Sequence, residues 1–307
     1  MRKFLIRFFE ISAIIVVLTL FLECLLLTQE NVYSYKSNYV KTHADEIKCL
    51  LLGNSHIEEG LIPDSMGIGV FNLAINGRSL VYDVALAQKH LPSMHNLEVL
   101  IVPYDYFEFY LGRSKDKASK AQKDVWSTIK CMNYKYMGLR VDKFWYWSEF
   151  LTSKESLMSR FYKSKEDLIN CDSLGFVPLE LSNRRFDWKQ KALPSELDLT
   201  KEKDPELCKK LNDKYITLAE LTKDYHVRLV LLSTPVYKTY QEKMSVQLID
   251  EMDSYINKLK ARYPHVEYYD YTFDKRFVDD DFNDASHLTV IGSAKFSKIV
   301  KEEILKK

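Results

Sequence analysis

The chain has 307 residues, of which 46% are hydrophobic and 28% are charged, the composition of a globular protein with a substantial core. Its formal net charge is +1, so it lacks the basic excess by which nucleic-acid-binding proteins contact phosphate backbones. The five cysteines include no C-x-x-C pair, which argues against a disulfide framework or a zinc ribbon. Pairing of Cys131 with Cys171 in an oxidising compartment stays open.

The N-terminus is an apolar segment long enough to cross a bilayer. Residues 4–27 are nearly all apolar, and a helix of that length spans roughly 36 Å. Arg2, Lys3 and Arg7 precede the apolar centre, which favours a cytoplasmic N-terminus and an extracytoplasmic remainder. A cleaved signal peptide is the alternative, but no small-x-small cleavage site follows. We therefore predict a signal-anchor transmembrane helix over 1–28.

The rest of the chain alternates between apolar runs and segments of helical spacing. Polar residues over 29–46 predict a stalk, after which an α/β domain would extend over 47–307. Strands are predicted at 47–52, 69–74, 97–103, 227–233 and 266–271, and helices at 79–90, 205–225, 241–263 and 289–306. Continuous apolar runs are typical of strands buried on both faces. We predict a three-layer α/β sandwich with a mostly parallel five-stranded sheet.

This alternation stops between residues 111 and 204, where Lys, Trp and Tyr are frequent and no strand pattern is present. We predict a mostly helical insertion that carries all four tryptophans of the chain. Aromatic rings there could stack on sugars, although packing of the insertion onto the sheet is the more common role of such residues. The candidate substrate-binding aromatics are Trp126, Trp145, Trp147 and Tyr104.

A serine directly follows the first predicted strand, in the run Gly53-Asn54-Ser55-His56. Ligands of open parallel sheets bind at the carboxyl ends of the strands, so Ser55 is well placed to be a nucleophile. A turn or helix N-cap is the ordinary role of a serine at such a junction. We expect His56 to make a local polar contact and not to act as the base.

A second group of candidate catalytic residues is the run Asp284-Ala285-Ser286-His287, just before the last predicted helix. A serine hydroxyl needs a base to take its proton, and histidine suits that role near neutral pH. A carboxylate on the other ring nitrogen would hold the tautomer and stabilise the imidazolium. Ser55, His287 and Asp284 therefore form a candidate catalytic triad.

An acyl-transfer site also needs N–H donors for the developing oxyanion. Gly77 follows the second predicted strand, and its missing side chain would let its N–H approach a substrate closely. A simple turn glycine is the other interpretation.

Together these three blocks, GNSH, NLAINGRS and DASH, resemble those of the SGNH (GDSL-like) hydrolase superfamily. The resemblance covers about 50–110 and 225–307. It implies a flavodoxin-like α/β fold, with Ser55 as nucleophile, His287 as base, Asp284 as its partner and Gly77 in the oxyanion hole.

The sequence departs from that superfamily in two blocks. Asn54 stands where Asp is usual before the nucleophile, and the run Val102 to Tyr106 lacks the asparagine of the third block. Asn76 could stand in as an oxyanion donor. In these departures the chain is similar to the membrane-anchored branch of the superfamily, which includes alginate and peptidoglycan O-acetyltransferases and the D-alanine transfer protein. That likeness implies a cell-envelope glycan as substrate and a membrane acyl-donor protein as a partner.

Other chemistries fit the residues less well. A calcium loop starting at Asp279 would have Asp284 and Val290 where Gly and Glu are required, and Gly67-Ile68-Gly69 precedes a strand instead of following one. We expect no metal, no cofactor and no nucleic-acid partner. Two alternatives remain: a non-catalytic envelope assembly or binding protein that kept the fold, and a lipase-like esterase. Hydrolysis and transfer would use the same triad.

Overall fold

The computed structural model describes residues 1–111, 120–139, 162, 164–189 and 205–306. They belong to two compact units, one within 1–35 and 119–170 and the other within 36–118 and 171–307. All five cysteines are free thiols.

The secondary structure begins with a long helix and then alternates between strands and helices. The strands are β1 (Cys49–Leu51), β2 (Val70–Asn72), β3 (Val99–Pro103), β4 (Arg228–Ser233) and β5 (Val266–Asp270). Helices of the first half are α1 (Arg2–Thr28), α2 (Val32–Thr42), α3 (Ser55–Glu58), α4 (Pro63–Met66), α5 (Leu80–His90), α6 (Tyr106–Leu111) and α7 (Lys120–Met137). Those of the second half are α8 (Lys165–Ile169), α9 (Pro205–Asp224), α10 (Lys238–Gln241), α11 (Val246–Arg262) and α12 (Val290–Val300), the last continued by a π-helical turn over Lys301–Leu305.

The second unit is built on a five-stranded sheet in the order β2-β1-β3-β4-β5, and every pairing is parallel. Leu50 of β1 lies opposite Phe71 on one neighbour and Leu100 on the other, and all three side chains are fully buried. All residues of β1 and β3 are buried, although successive side chains point to opposite faces, so helices cover both faces. The predicted three-layer α/β sandwich is confirmed.

Helix α2 occupies the polar segment over 29–46 where we predicted a stalk. Lys36 on this helix is fully buried. Its Nζ donates to Oε1 of Glu58 at 2.8 Å and to the carbonyl oxygen of Ala74 at 2.5 Å. A buried ammonium is tolerated only with such partners, and these partners are distant in sequence. Residues 32–42 of the segment predicted as a stalk are therefore helical, and Lys36 of this helix is bonded to residues of the second unit.

The first unit contains α1, which is long and apolar enough to cross a membrane by its length and composition. A membrane anchor and a signal sequence both meet that description. Near its C-terminal end, Oε1 of Glu23 accepts a hydrogen bond of 2.7 Å from Nζ of Lys135 on α7. Both side chains are largely buried. Within the predicted insertion, α7 and α8 are helical, whereas residues 170–189 form turns and irregular segments with one 3-10 turn at Leu181–Asn183. Trp145 and Trp147 lie outside the described residues.

Candidate active site

The loop after β1 presents Ser55 at the first position of the short helix α3. Asn54 caps this helix, and its side-chain oxygen accepts a hydrogen bond of 3.0 Å from the N–H of His56. Gly53 has φ of +135°, and a Cβ atom there would lie 2.6 Å from Cδ of Pro103. Only glycine fits this backbone conformation and this contact, so the loop is held close to the end of β3.

The structure brings Ser55, His287 and Asp284 into one hydrogen-bonded chain. Oγ of Ser55 and Nε2 of His287 are 2.8 Å apart. Nδ1–H of His287 donates to the carboxylate of Asp284, with distances of 2.9 and 3.0 Å to its two oxygens. The Ser55 residue is 9% exposed, and the side chains of His287 and Asp284 are 23% and 30% exposed. This is the arrangement in which a base can take a proton from a serine; its catalytic role stays a prediction.

The electrostatics of the site favour a charged histidine. Burial lowers the pKa of His287, but the charge and hydrogen bond of Asp284, with the charges of Glu59 and Asp105, raise it to about 9. Burial raises the pKa of Asp284, but the His287 charge and hydrogen bonds from His287 and Ser286 lower it to about 2. Both shifts favour the imidazolium–carboxylate form of the pair, and the neutral imidazole that can act as a base becomes more abundant as pH rises.

The predicted oxyanion donors lie in the turn after β2. Gly77 has φ of +71°, and the N–H of Ile75 in the same turn donates to the carbonyl oxygen of Gly53 at 3.0 Å. This hydrogen bond ties the turn to the loop that carries Ser55. Within the described ranges, neither the Ser55 N–H nor the Gly77 N–H donates to another protein atom, so both can bind a ligand oxygen.

Asn76, the other predicted donor, is engaged elsewhere. Its backbone N–H donates to Oε2 of Glu58 at 2.6 Å, so this group is not free for an oxyanion. Its side-chain amide lies 3.5 Å from Oε1 of Glu59. Asn76 therefore connects two acidic residues of α3 and its C-terminus to the turn that contains Gly77.

A second histidine–carboxylate pair lies beside the first. Nδ1 of His56 is 2.8 Å from Oδ2 of Asp105, and the two side chains are only 4% and 5% exposed. The side-chain amide of Asn54 also donates to Oδ2 of Asp105, at 3.3 Å. Asp105 stands in the run where the third block lacks its asparagine, so this run holds the nucleophile loop through His56 and Asn54.

Glu59 is a residue of the site that the sequence did not reveal. It lies one turn after Ser55 and is 7% exposed, and its Oε2 is 3.8 Å from Nε2 of His287. Burial raises its pKa to about 7, with the charge of His287 opposing the shift and those of Glu58 and Asp284 adding to it. An acidic residue on a short helix is normally solvated, and only the three-dimensional fold shows that this one is buried.

Of the aromatic residues predicted to bind substrate, Tyr104 is the one whose side chain lies among the described residues. Tyr104 is 1% exposed, and its hydroxyl donates to the carbonyl oxygen of Met252 at 2.9 Å, so it belongs to the core. Trp126 lies on α7, where its side chain is outside the described residues. Trp188 is buried, with its ring 4.8 Å from that of Tyr237. In the described ranges, no group of His, Cys, Asp and Glu side chains is arranged to hold a metal ion.

Comparison with known proteins gives similarity in structure only. No protein-family model matches the chain, and no curated protein does. A proposed platelet activating factor from Streptococcus pneumonia is 13% identical, with a TM-score of 0.44 over 94% of this chain and 98% of that one. A proposed acylhydrolase from Bacteroides fragilis is 11% identical, with a TM-score of 0.41 over 87% and 94%. A GDSL-like lipase from Bacteroides thetaiotaomicron is 11% identical, with a TM-score of 0.41 over 89% and 98%. At these values the function has to be argued from the site itself.

Proposed function

We propose that this protein is a membrane-anchored, extracytoplasmic serine acyl-ester enzyme that acts on a cell-envelope polysaccharide, as an O-acyltransferase or an esterase. The observation that carries the proposal is the hydrogen-bonded chain from Ser55 Oγ through His287 to Asp284. A serine, a base and a carboxylate in this order are what nucleophilic acyl transfer requires.

In the first half of the reaction, Oγ of Ser55 attacks the acyl carbon and its proton passes to Nε2 of His287. Asp284 holds Nδ1–H and stabilises the imidazolium that forms. The N–H groups of Ser55 and Gly77 donate to the oxyanion of the tetrahedral intermediate. The proton on Nε2 then passes to the leaving oxygen as its bond to the acyl carbon breaks. In the second half, the acceptor oxygen, from a sugar hydroxyl or from water, attacks the acyl-serine in the same way.

The location is supported by α1 and its flanking charges. Arg2, Lys3 and Arg7 precede the apolar centre, which favours an N-terminus in the cytoplasm and the sheet domain outside. Transfer to a polysaccharide is favoured over hydrolysis by the resemblance to the membrane-anchored branch, which is an analogy with that family.

The experiment that tests the proposal treats the full-length protein in detergent with a fluorophosphonate and measures the intact mass. We expect one adduct, in which the Ser55 oxygen is bonded to phosphorus and fluoride has left. Ser55→Ala and His287→Ala should lose the adduct, whereas the control Ser65→Ala should keep it. A folded wild-type protein without an adduct would overturn the proposal and favour a non-catalytic envelope assembly or binding protein.

Product analysis separates an enzyme that acts on polysaccharide esters from a lipase-like esterase. Incubation with an acetylated glycan and with a membrane lipid ester should give turnover of the glycan ester only. Turnover of the lipid alone would indicate a lipase-like esterase.

A further inference from the structure

Glu59 presents a carboxylate oxygen to the reacting atoms, and this oxygen accepts no hydrogen bond within the described ranges. Its Oε2 is 3.8 Å from Nε2 of His287, which is too long for a hydrogen bond. No donor reaches Oε2 from the described part of the chain, and Oε1 has only the 3.5 Å contact with Asn76. A bound ligand that brings a hydrogen-bond donor would therefore find an acceptor at Oε2.

The position of this carboxylate is set by the same helix that sets Ser55. The N–H of Glu59 donates to the carbonyl oxygen of Ser55 at 2.9 Å, and the Glu59 carbonyl oxygen accepts from Oγ of Ser293 on α12 at 2.6 Å. Residues four apart on a helical turn lie on the same face, so the carboxylate and the nucleophile share one side of the loop. The backbone of Glu59 is therefore held in place before any ligand binds.

Two kinds of donor could satisfy Oε2, a cationic group or a hydroxyl. The acceptor in the proposed function is a polysaccharide, whose donor groups are neutral hydroxyls. A hydroxyl is therefore the donor that we place at Oε2.

The second half-reaction already places one hydroxyl at His287, because the attacking oxygen gives its proton to Nε2. That hydroxyl cannot also donate to Glu59. A hydroxyl on the neighbouring carbon atom can, since the oxygens of a vicinal diol are close enough to reach two acceptors that lie 3.8 Å apart.

We propose that Glu59 selects the acyl acceptor by accepting a hydrogen bond from the hydroxyl next to the one that is acylated, so that the acceptor is a vicinal diol of a sugar ring or polyol. This inference rests on the proposed function. In the step itself, the acceptor oxygen bonds to the acyl carbon as the bond to Ser55 Oγ breaks. The acceptor proton passes to Nε2 of His287 and from there to Oγ.

The experiment uses the full-length protein in detergent with a p-nitrophenyl ester as acyl donor, and compares cyclohexane-1,2-diol with cyclohexanol as acceptors. The measured quantity is the ratio of the two transfer rates per hydroxyl, taken within each variant. We expect the wild type to prefer the diol roughly tenfold or more, because the single alcohol leaves Oε2 unpaired. Glu59→Leu should reduce this ratio to near equality, Glu59→Gln should reduce it in part, and the exposed control Glu98→Gln should leave it unchanged.

Three results overturn the inference. Equal per-hydroxyl rates in the wild type would do so, and so would a diol preference that survives in Glu59→Leu. Water can also donate twice, so a variant whose hydrolysis falls as much as its transfer would show that Glu59 orients water instead. Failure of the proposed function looks different: no acyl adduct on Ser55 would form in the wild type before any acceptor is added, and the inference would fall with it.

Discussion

Two histidine–carboxylate pairs lie next to each other at Ser55, with their imidazole rings 5.1 Å apart, and they differ in burial and in partners. The pair of His287 and Asp284 is partly exposed, and His287 contacts Oγ of Ser55. The pair of His56 and Asp105 is almost fully buried, and no hydrogen bond joins it to Oγ in the described ranges. In our proposal the first pair takes the proton of Ser55, whereas the second pair fixes the loop that carries it. What distinguishes them is access to the reacting atoms.

The largest difference between the two pairs should appear in the rate at which Ser55 reacts with a fluorophosphonate. His287→Ala removes the only base in contact with Oγ among the described residues and should lower the rate of fluorophosphonate labelling by roughly 10⁴-fold or more. His56→Ala, assayed as folded protein, should lower it far less. If folded His56→Ala protein loses as much activity as His287→Ala, the assignment of the base is wrong.

The carboxylates should differ in the same sense. Asp284→Asn leaves the shape of the loop but no longer holds the tautomer of His287, and we expect the acylation rate to fall on the order of 10³- to 10⁴-fold. Asp105→Asn should change it by no more than about tenfold, because Asp105 acts on Ser55 only through His56 and Asn54. The burst of p-nitrophenol from an ester substrate measures both. Equal losses in the two variants would contradict the comparison.

Stability should reverse the order of the two histidines. His56→Ala leaves the Asp105 carboxylate buried, with the 3.3 Å contact to Asn54 as its remaining side-chain partner among the described residues. This variant should lower the free energy of unfolding by about 3 kcal/mol or more. His287→Ala removes a partly exposed pair and should cost about 1 kcal/mol or less. Thermal unfolding of the full-length protein in detergent measures both. The double variant His56→Ala/Asp105→Asn should recover part of the loss, and no recovery would argue against a charge-related cause.

The smallest expected effect concerns pH. The raised pKa of His287 means that its base form becomes abundant only as pH rises, so the labelling rate should increase with pH and reach half of its plateau near pH 9. The charges that face His287 and raise this pKa are those of Asp284, Glu59 and Asp105. Glu59→Gln removes one of them and should move the midpoint to lower pH by about one pH unit. A midpoint that does not move would show that Glu59 does not act on His287 through its charge.

Much of the fold follows from the apolar runs, because a strand buried on both faces has no room for polar residues. The run VLIVP at residues 99–103 predicts such a strand, and all five predicted strands are present. The predicted bounds of the strands are less accurate than their number and order. β1 pairs only over Cys49–Leu51, although the apolar run is longer, because strand ends depend on the hydrogen bonds of their neighbours.

The sequence likewise predicts some residues of the candidate site and not others. Ser55, Asp284 and His287 could be proposed from short motifs that follow a strand or precede a helix, and the structure brings them together. Glu59 and the pairing of His56 with Asp105 could not, because both depend on burial and on partners distant in sequence. The residue type alone does not predict that a particular acidic residue or histidine is buried.

The burial of Lys36 has a practical consequence for how the chain can be divided. The apolar run beginning at residue 47 suggests that the sheet domain could be produced from there. That cut would remove the ammonium that neutralises Glu58, and within the described ranges no other cation is paired with this buried carboxylate. Glu58 also accepts from the turn that carries Gly77, through the N–H of Asn76. A fragment that retains the site must therefore start before Lys36, even though this lysine contributes nothing to the chemistry.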